Sequence, residues 1–309
     1  MKYSIVVPVY NSEKSLEELY TRINDVFVNV IKESYELILV DDFSKDRSFA
    51  VMEELHAKNP SVVAVQLSKN CGQHAALLCG FSFASGDFVI TMDDDLQHPP
   101  EEIPKLIEGF AQNDCDVVIG RYKSKKHSLL RNMGTFVSGL VSHKVYGKPK
   151  DLELTSFRML RRNVVDDINH LSVHRPRIGN MILRVNSRIK NVTVEHSQRK
   201  YGKSGYSFMH LVSDLINNIV VDSSFPLIVV RNIGIGTFFL SIIMALYYVI
   251  KYFTRGISIL GWTSMILITL FYNGVILFGI GVIGDYLIRI QDESRKMPNY
   301  FVRKILKED

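Results

Sequence analysis

An α/β domain built on a parallel sheet, followed by a hairpin of two membrane helices, is the fold class the sequence predicts. Three observations carry the expectation. Over the first 125 residues short β-branched runs alternate with helix-like stretches. Polar and acidic groups stand directly after those runs. Further on, residues 232–250 and 257–284 contain no Asp, Glu, Lys or Arg.

The apolar runs fall at 4–10, 35–40, 62–67, 88–92 and 117–119. Helix-like stretches at 15–31, 46–58, 72–84 and 100–113 lie between and beyond them. Runs that are apolar at every position, rather than at alternate ones, indicate strands buried on both faces of a parallel sheet. Ligands of such folds bind beyond the carboxyl ends of the strands. Tyr10-Asn11-Ser12-Glu13 follows the first run, Asp41-Asp42 the second, Ser68 to Gln73 the third, and Asp93-Asp94-Asp95 the fourth.

Three adjacent carboxylates repel one another unless a cation stands between them. A hard divalent ion held by one or two carboxylates and completed by substrate phosphates suits them. In an extended chain Asp93 and Asp95 share one face and Asp94 takes the other. The competing explanation is that Asp94 or Asp95 caps the helix that the following prolines start. Acids at two strand ends with amides at others favour a nucleotide and its metal. No Gly-x-Gly-x-x-Gly follows the first run and no Gly-Lys-Ser/Thr loop occurs, which excludes the dinucleotide and P-loop classes by those marks.

The chain has 309 residues, 47% of them hydrophobic, and a formal net charge of +5. The uncharged stretches approach or exceed the ~20 residues that cross a bilayer. Spans are expected at 227–253 and 257–288, with a basic tail at 289–309. Arg289, Arg295, Lys296, Arg303, Lys304 and Lys307 follow the second span, against Lys251 and Arg255 in the turn. The positive-inside tendency leaves both termini and the large domain in the cytoplasm. Amphipathic patterns at 127–146 and 205–226 suit core packing or the membrane interface. A basic stretch from Arg158 to Lys203 suits phosphate or lipid headgroups; no groove-reading motif points to nucleic acid. Three cysteines without metal-ligand spacing fit ordinary thiols in a reducing compartment.

The ordered motifs VVPVYN, LILVDD, KNCGQHAALLCGF, GDFVITMDDDLQHPPEEIP, SFRMLRR and YGKSGYSF resemble the family 2 glycosyltransferases that act on polyisoprenyl phosphates. The resemblance implies a GT-A (Rossmann-like) nucleotide-sugar domain over 1–204 and a bacterial inner-membrane enzyme that transfers a sugar from a nucleotide sugar, UDP-linked in the nearest relatives, to a lipid phosphate. It implies Mg²⁺ or Mn²⁺ on Asp93 and Asp95, with Asp94 between them. It places Pro8, Tyr10, Asp41 and Asp42 at the base and ribose, Gly72 and Gln73 near the nucleotide or sugar, and Gln97 near the sugar. Arg158, Arg199, Lys203 and Ser204 would approach the phosphates, and Glu153 would be an acceptor-side carboxylate. Catalysis would rest on Asp95, Gln97 and Glu153, in a homo-oligomer such as a tetramer. Ser12 and Phe43 depart from the family's usual Glu and Gly, and Leu152 occupies the column of an acidic residue.

Overall fold

The computed structural model describes residues 2–112, 114–122, 149, 151–171, 173, 176–186, 188–197, scattered positions from 230 to 254, 261–294 and 298–308. The chain forms two units. One comprises Met1–Gly205 together with Lys296–Asp309, the other Tyr206–Arg295.

The first unit begins β1 (Tyr3–Val9), α1 (Leu16–Asp25), β2 (Tyr35–Asp41), α2 (Ser48–Lys58), β3 (Val62–Leu67), α3 (Gln73–Phe83) and β4 (Phe88–Thr91). A 3-10 turn (Pro100–Glu102), α4 (Ile103–Gln112) and β5 (Val117–Tyr122) follow. Then come β6 (Arg158–Arg161), α5 (Arg162–His170), α6 (Ile178–Val185) and β7 (Ile189–Val194). The sequence expectations for the first five strands hold to within a few residues at each end. The expected helix 15–31 does not run through: α1 gives way to a π-helical turn (Val26–Ile31) that ends at left-handed Lys32. Its β-branched V-F-V-N-V-I sequence is a poor α-helix continuation.

The described strands make one eight-stranded sheet in the order β7-β5-β6-β4-β1-β2-β3-β8. β3, β2, β1 and β4 run parallel, as expected, but the sheet is mixed. β6 enters antiparallel between β4 and β5, and β8 (Val302–Leu306) lies antiparallel on β3. Residues 289–309 are therefore not a plain tail. Helix α7 (Trp262–Ser294) extends into them, and the chain then returns to the sheet. Lys304 on β8 pairs with Glu53 at 2.6 Å, and basic side chains on a sheet edge discourage further strand addition.

Alternate strand residues feed two cores. Ile5, Val7, Leu37, Leu39, Ile90 and Met159 pack with α1, α2 and α4. Val6, Ile38, Val40, Val65, Val89 and Leu160 pack with α3, α5 and α6. α3 is nearly all apolar and crosses β1 closely at Gly80, where a Cβ would lie 2.2 Å from Cγ1 of Val6. Gly80→Val is expected to cost about 3 kcal/mol through overpacking. A thermal midpoint in detergent equal to that of the parent would refute this packing argument.

In the second unit, α7 is the one described helix long and apolar enough to cross a membrane, over Phe271–Ile288. At ~1.5 Å per residue its 33 residues exceed a hydrocarbon core. Met265, Phe271, Ile276, Ile280 and Leu287 are exposed along it. Most of the first expected span and both amphipathic segments, 127–146 and 205–226, lie outside the described residues.

Candidate functional site

The order of strands reverses beside β1, whose successor β2 lies on one side and β4 on the other. Crevices at such a reversal are where α/β sheets bind ligands. The loops after β1, β2 and β4 meet this rim, and each contains a non-glycine residue in the left-handed region: Asn11 at φ 53°, Phe43 at 63° and Leu96 at 61°. Each such residue costs about 1–2 kcal/mol, and strain of this kind gathers at ligand clamps. Phe43 stands where the resemblance expects glycine. Phe43→Gly is expected to raise the thermal midpoint by relieving about 1 kcal/mol; a lowered midpoint would mean that its side chain contributes more than its backbone costs.

The two aspartates at the end of β2 brace loops. Asp41 is fully buried, and its oxygens accept from Ser44 N at 3.0 Å and Gln66 Nε2 at 3.1 Å. Asp42 accepts from Cys71 N at 2.6 Å and Gly72 N at 2.8 Å, which fastens the loop that enters α3. Burial raises its pKa against those two hydrogen bonds. Gly72 has φ +87°, open to glycine at no steric cost. Tyr10 and Gln73 are exposed at this rim, whereas Pro8 is buried within β1 and Asp41 holds the frame.

The three central aspartates turn to different partners. Asp93 accepts from Gln73 Nε2 at 2.5 Å and from Ser156 Oγ at 2.6 Å. Asp94 turns toward the β1 loop, accepting from Tyr10 N at 3.1 Å. Asp95 accepts from Gln97 N at 3.1 Å. The helix that either was offered to cap begins only at the Pro100 turn, so capping is not their role. Burial, reinforced by Asp93 and Asp95, pushes Asp94 up to about 6. The Tyr122 hydroxyl is likewise pushed up, by burial first and then by Asp93, Asp95 and Glu153.

This concentration of negative charge is what a bound dication would neutralise. No group of three or more potential metal-ligating side chains assembles among the described residues. One or two carboxylates completed by substrate phosphates are the donor set that would fit such an ion here.

On the far side of β4, Arg158 is 3% exposed. Its Nε approaches Ser156 O at 3.5 Å, whereas one terminal guanidinium nitrogen has no hydrogen-bond partner among the described residues. Burial lowers Arg158 to about 10, which leaves it charged at neutral pH. His98 stacks between Tyr122 and Phe157 and hydrogen-bonds the Tyr122 hydroxyl, with His196 edge-on to Tyr122 at 4.4 Å. Gln97 O accepts from Ser197 N at 3.0 Å, tying this loop to the strand that brings His196. Glu153 is held through its backbone by Asn191, at 2.8 Å and 2.9 Å, and its charge reaches Tyr122.

His74, at the start of α3, is lowered to about 4, by burial first and then by Arg158 and Arg177. An imidazole kept neutral by folding contributes fully above its unfolded pKa. That contribution falls as pH drops from 6.5 to about 4, a loss of about 3 kcal/mol at ~1.4 kcal/mol per pKa unit. His74→Asn is expected to flatten this acid limb of the stability profile. An unchanged limb would assign the acid sensitivity elsewhere.

The structure thus brings Tyr10, Gly72, Gln73, the three aspartates, Gln97, Glu153 and Arg158 to one rim. Arg199, Lys203 and Ser204 lie outside the described residues. Tyr122 joins the site without having been singled out from the sequence, while Ser156 stands in the SFRMLRR motif, Arg177 in the basic stretch, and His196 among the histidines, none with a partner assigned.

A strand-end rim with clustered carboxylates and a strained clamp on a mixed sheet defines a GT-A-like nucleotide-binding domain. The match is specific: the Glycosyl transferase family 2 profile covers residues 4–175. The chain is 32% identical over 311 residues to a protein of Bacillus subtilis (strain 168) described as uncharacterized glycosyltransferase YkcC, covering 98% of this chain and 94% of that one. The chain belongs to glycosyltransferase family 2 and uses a nucleotide sugar. Its fold is similar to glucosyl-3-phosphoglycerate synthase from Mycobacterium tuberculosis, solved with Mn²⁺, UDP and phosphoglyceric acid. The TM-score is 0.52 at 17% identity, over 72% of this chain and 78% of that one. The same enzyme with Mg²⁺ and UDP superimposes with TM-score 0.52 over 72% and 79% of the two chains, again at 17% identity.

Proposed function

We propose that the protein transfers a sugar from a UDP-sugar to a polyisoprenyl phosphate, undecaprenyl phosphate in a bacterial inner membrane, with inversion at the transferred carbon. The catalytic domain and both termini face the cytoplasm. The observation that carries the lipid acceptor is connectivity. Unit Tyr206–Arg295 is inserted between two parts of one domain, and β8 after it pairs with β3. A chain that leaves and rejoins the same soluble sheet crosses a membrane an even number of times. One apolar helix therefore calls for a second, and 227–253 is the segment with the composition for it. The approach of Val230 Cγ1 to Gly279, where a Cβ would lie at 3.3 Å, supports pairing of the two segments. Among the described residues nothing lies within 4 Å of a Cβ placed at Gly274, Gly281 or Gly284, which suits packing between copies in a homo-oligomer.

The chemistry agrees with such an acceptor. A phosphate monoester, with a second pKa of about 6, is a ready nucleophile at neutral pH. A strong general base is then unnecessary. Asp95 and Asp93 would hold Mg²⁺ or Mn²⁺, which would supply charge neutralisation to the departing diphosphate. The chain's own residues do the positioning. Tyr10 and the β3–α3 loop face the nucleoside side, Gln97 faces the sugar, and Arg158 and Glu153 face the acceptor side.

The test incubates detergent-purified protein with undecaprenyl phosphate, Mn²⁺ and a panel of UDP- and GDP-sugars, followed by mass spectrometry. A lipid-phosphate-sugar product that requires both metal and Asp95 is the expected result. Transfer to a water-soluble hydroxyl acceptor, with none to lipid phosphate, would reject the proposal.

A further inference from the structure

On the α3 side of the sheet, beyond the aspartates, several unsatisfied groups converge. Arg158 is a buried cation with an unpaired guanidinium nitrogen and no ion pair among the described residues. Asp93, the carboxylate whose charge acts on it, has its two oxygens engaged by Gln73 and Ser156. A buried charge left in this condition is costly unless an anion arrives to compensate it. His74 Nδ1 is also buried without a hydrogen-bond partner among the described residues. Arg158 shares the strand face of Leu160, which packs under α3, and α3, with His74 in its first turn, packs against α6, which Arg177 precedes; the charges of both arginines act on His74.

Two helix starts frame the group. α3 begins at Gln73 after Gly72, and α6 begins at Ile178 after Arg177, neither with a side-chain cap. The two helices pack against each other. Helix N-termini carry partial positive charge and backbone donors suited to phosphate, and guanidinium groups match its oxygens. The place across the sheet also distinguishes the ligand. Tyr10, Asp42 and the β3–α3 loop lie at β1, β2 and β3, with the aspartates at the end of β4. Arg158 opens β6, on the flank of β4 away from β1. A donor spread from β2 to β4 leaves this flank to the second substrate.

We propose that Arg158, Arg177 and His74, between the starts of α3 and α6, form a pocket for the phosphate monoester of the acceptor. The pocket rests on the acceptor reading above and adds Arg177 and His74 as binding residues. Arg158 is the buried anchor, Arg177 the guanidinium at the helix start, and His74 a neutral ring whose nitrogen meets a phosphate oxygen.

The experiment uses the full-length protein in detergent and three readouts: kinetics with farnesyl phosphate and undecaprenyl phosphate, equilibrium binding of inorganic phosphate, and the Kd for UDP with Mn²⁺. Arg177→Gln is the main variant because its side chain is less buried than that of Arg158, with His74→Asn beside it. Each is expected to raise the acceptor KM about tenfold or more, the loss of one charge-assisted or buried hydrogen bond. Phosphate binding should weaken in parallel while donor KM and UDP Kd stay within about twofold, and Arg177→Lys should recover part of the loss. Unchanged acceptor KM and phosphate binding would overturn the pocket. So would a parallel rise in donor KM and UDP Kd, which would give the residues to the donor diphosphate. If wild type makes no product from either prenyl phosphate, the acceptor reading fails separately. Phosphate binding lost in Arg177→Gln would then still support the pocket, and absence of phosphate binding by wild type would reject it.

Discussion

Replacing Asp95 by asparagine is expected to cut kcat about a thousandfold while leaving the fold intact, the scale on which charge stabilisation at a leaving group acts. Asparagine preserves the shape and can still accept from Gln97 N, the contact Asp95 makes at 3.1 Å. It removes the negative charge that a dication needs. The same change at Asp93 would be less clean. Asp93 accepts from both Gln73 and Ser156, and an amide would set an NH₂ group against one of those donors. Turnover by Asp95→Asn within tenfold of the parent, across a Mn²⁺ titration, would remove Asp95 from the proposed role of metal ligand. A circular-dichroism spectrum and thermal midpoint matching wild type are the controls for folding.

Ending the chain after Arg295 is expected to be the most damaging change to stability, although no catalytic residue lies beyond that point. β8 pairs with β3 from Ala64 to Leu67, Phe301 O accepts from Ser68 N at 2.7 Å, and Tyr300 OH reaches Ser82 Oγ at 3.3 Å. At ~1 kcal/mol net for each hydrogen bond, roughly 4 kcal/mol is lost before counting the apolar cover of Val302 and Leu306. Ser68 begins the loop whose Cys71 and Gly72 amides bind Asp42, so UDP affinity should fall with stability. The comparison is a thermal melt in detergent with and without UDP and Mn²⁺. A truncated protein with the parent's midpoint and UDP Kd would show that β8 is dispensable to both.

The site was legible in the sequence to the extent that its groups occur in contiguous motifs. The triple aspartate and Gly72-Gln73 could be found from type and position after an apolar run, and the SFR arginine through the family resemblance. The places that Tyr122, Ser156 and His196 take could not, although Ser156 lies within the SFRMLRR motif. Each reaches the rim because β5, β6 and β7 pair out of chain order, and nothing local records that order. The role of Asp94 was also hidden. Alternation assigned it to the opposite face from its neighbours, but its partner, the Tyr10 amide, is 84 positions away.

Local chemistry was sufficient for the alternation of strands and helices, since apolar runs bounded by turn residues report burial directly. It was sufficient also for the uncharged stretches and for the acidic strand ends. Tertiary contact settled the rest. Arg158-Met-Leu-Arg161 and Val302-Arg-Lys-Ile-Leu306 have charged residues at half or nearly half of their positions, and they are strands because β4, β5 and β3 present unpaired edges to them. The same pairing buries Arg158 and brings the chain back to the sheet. A charge inside a sheet and the destination of a returning segment depend on partners distant in sequence, so they emerge only once the strands have met.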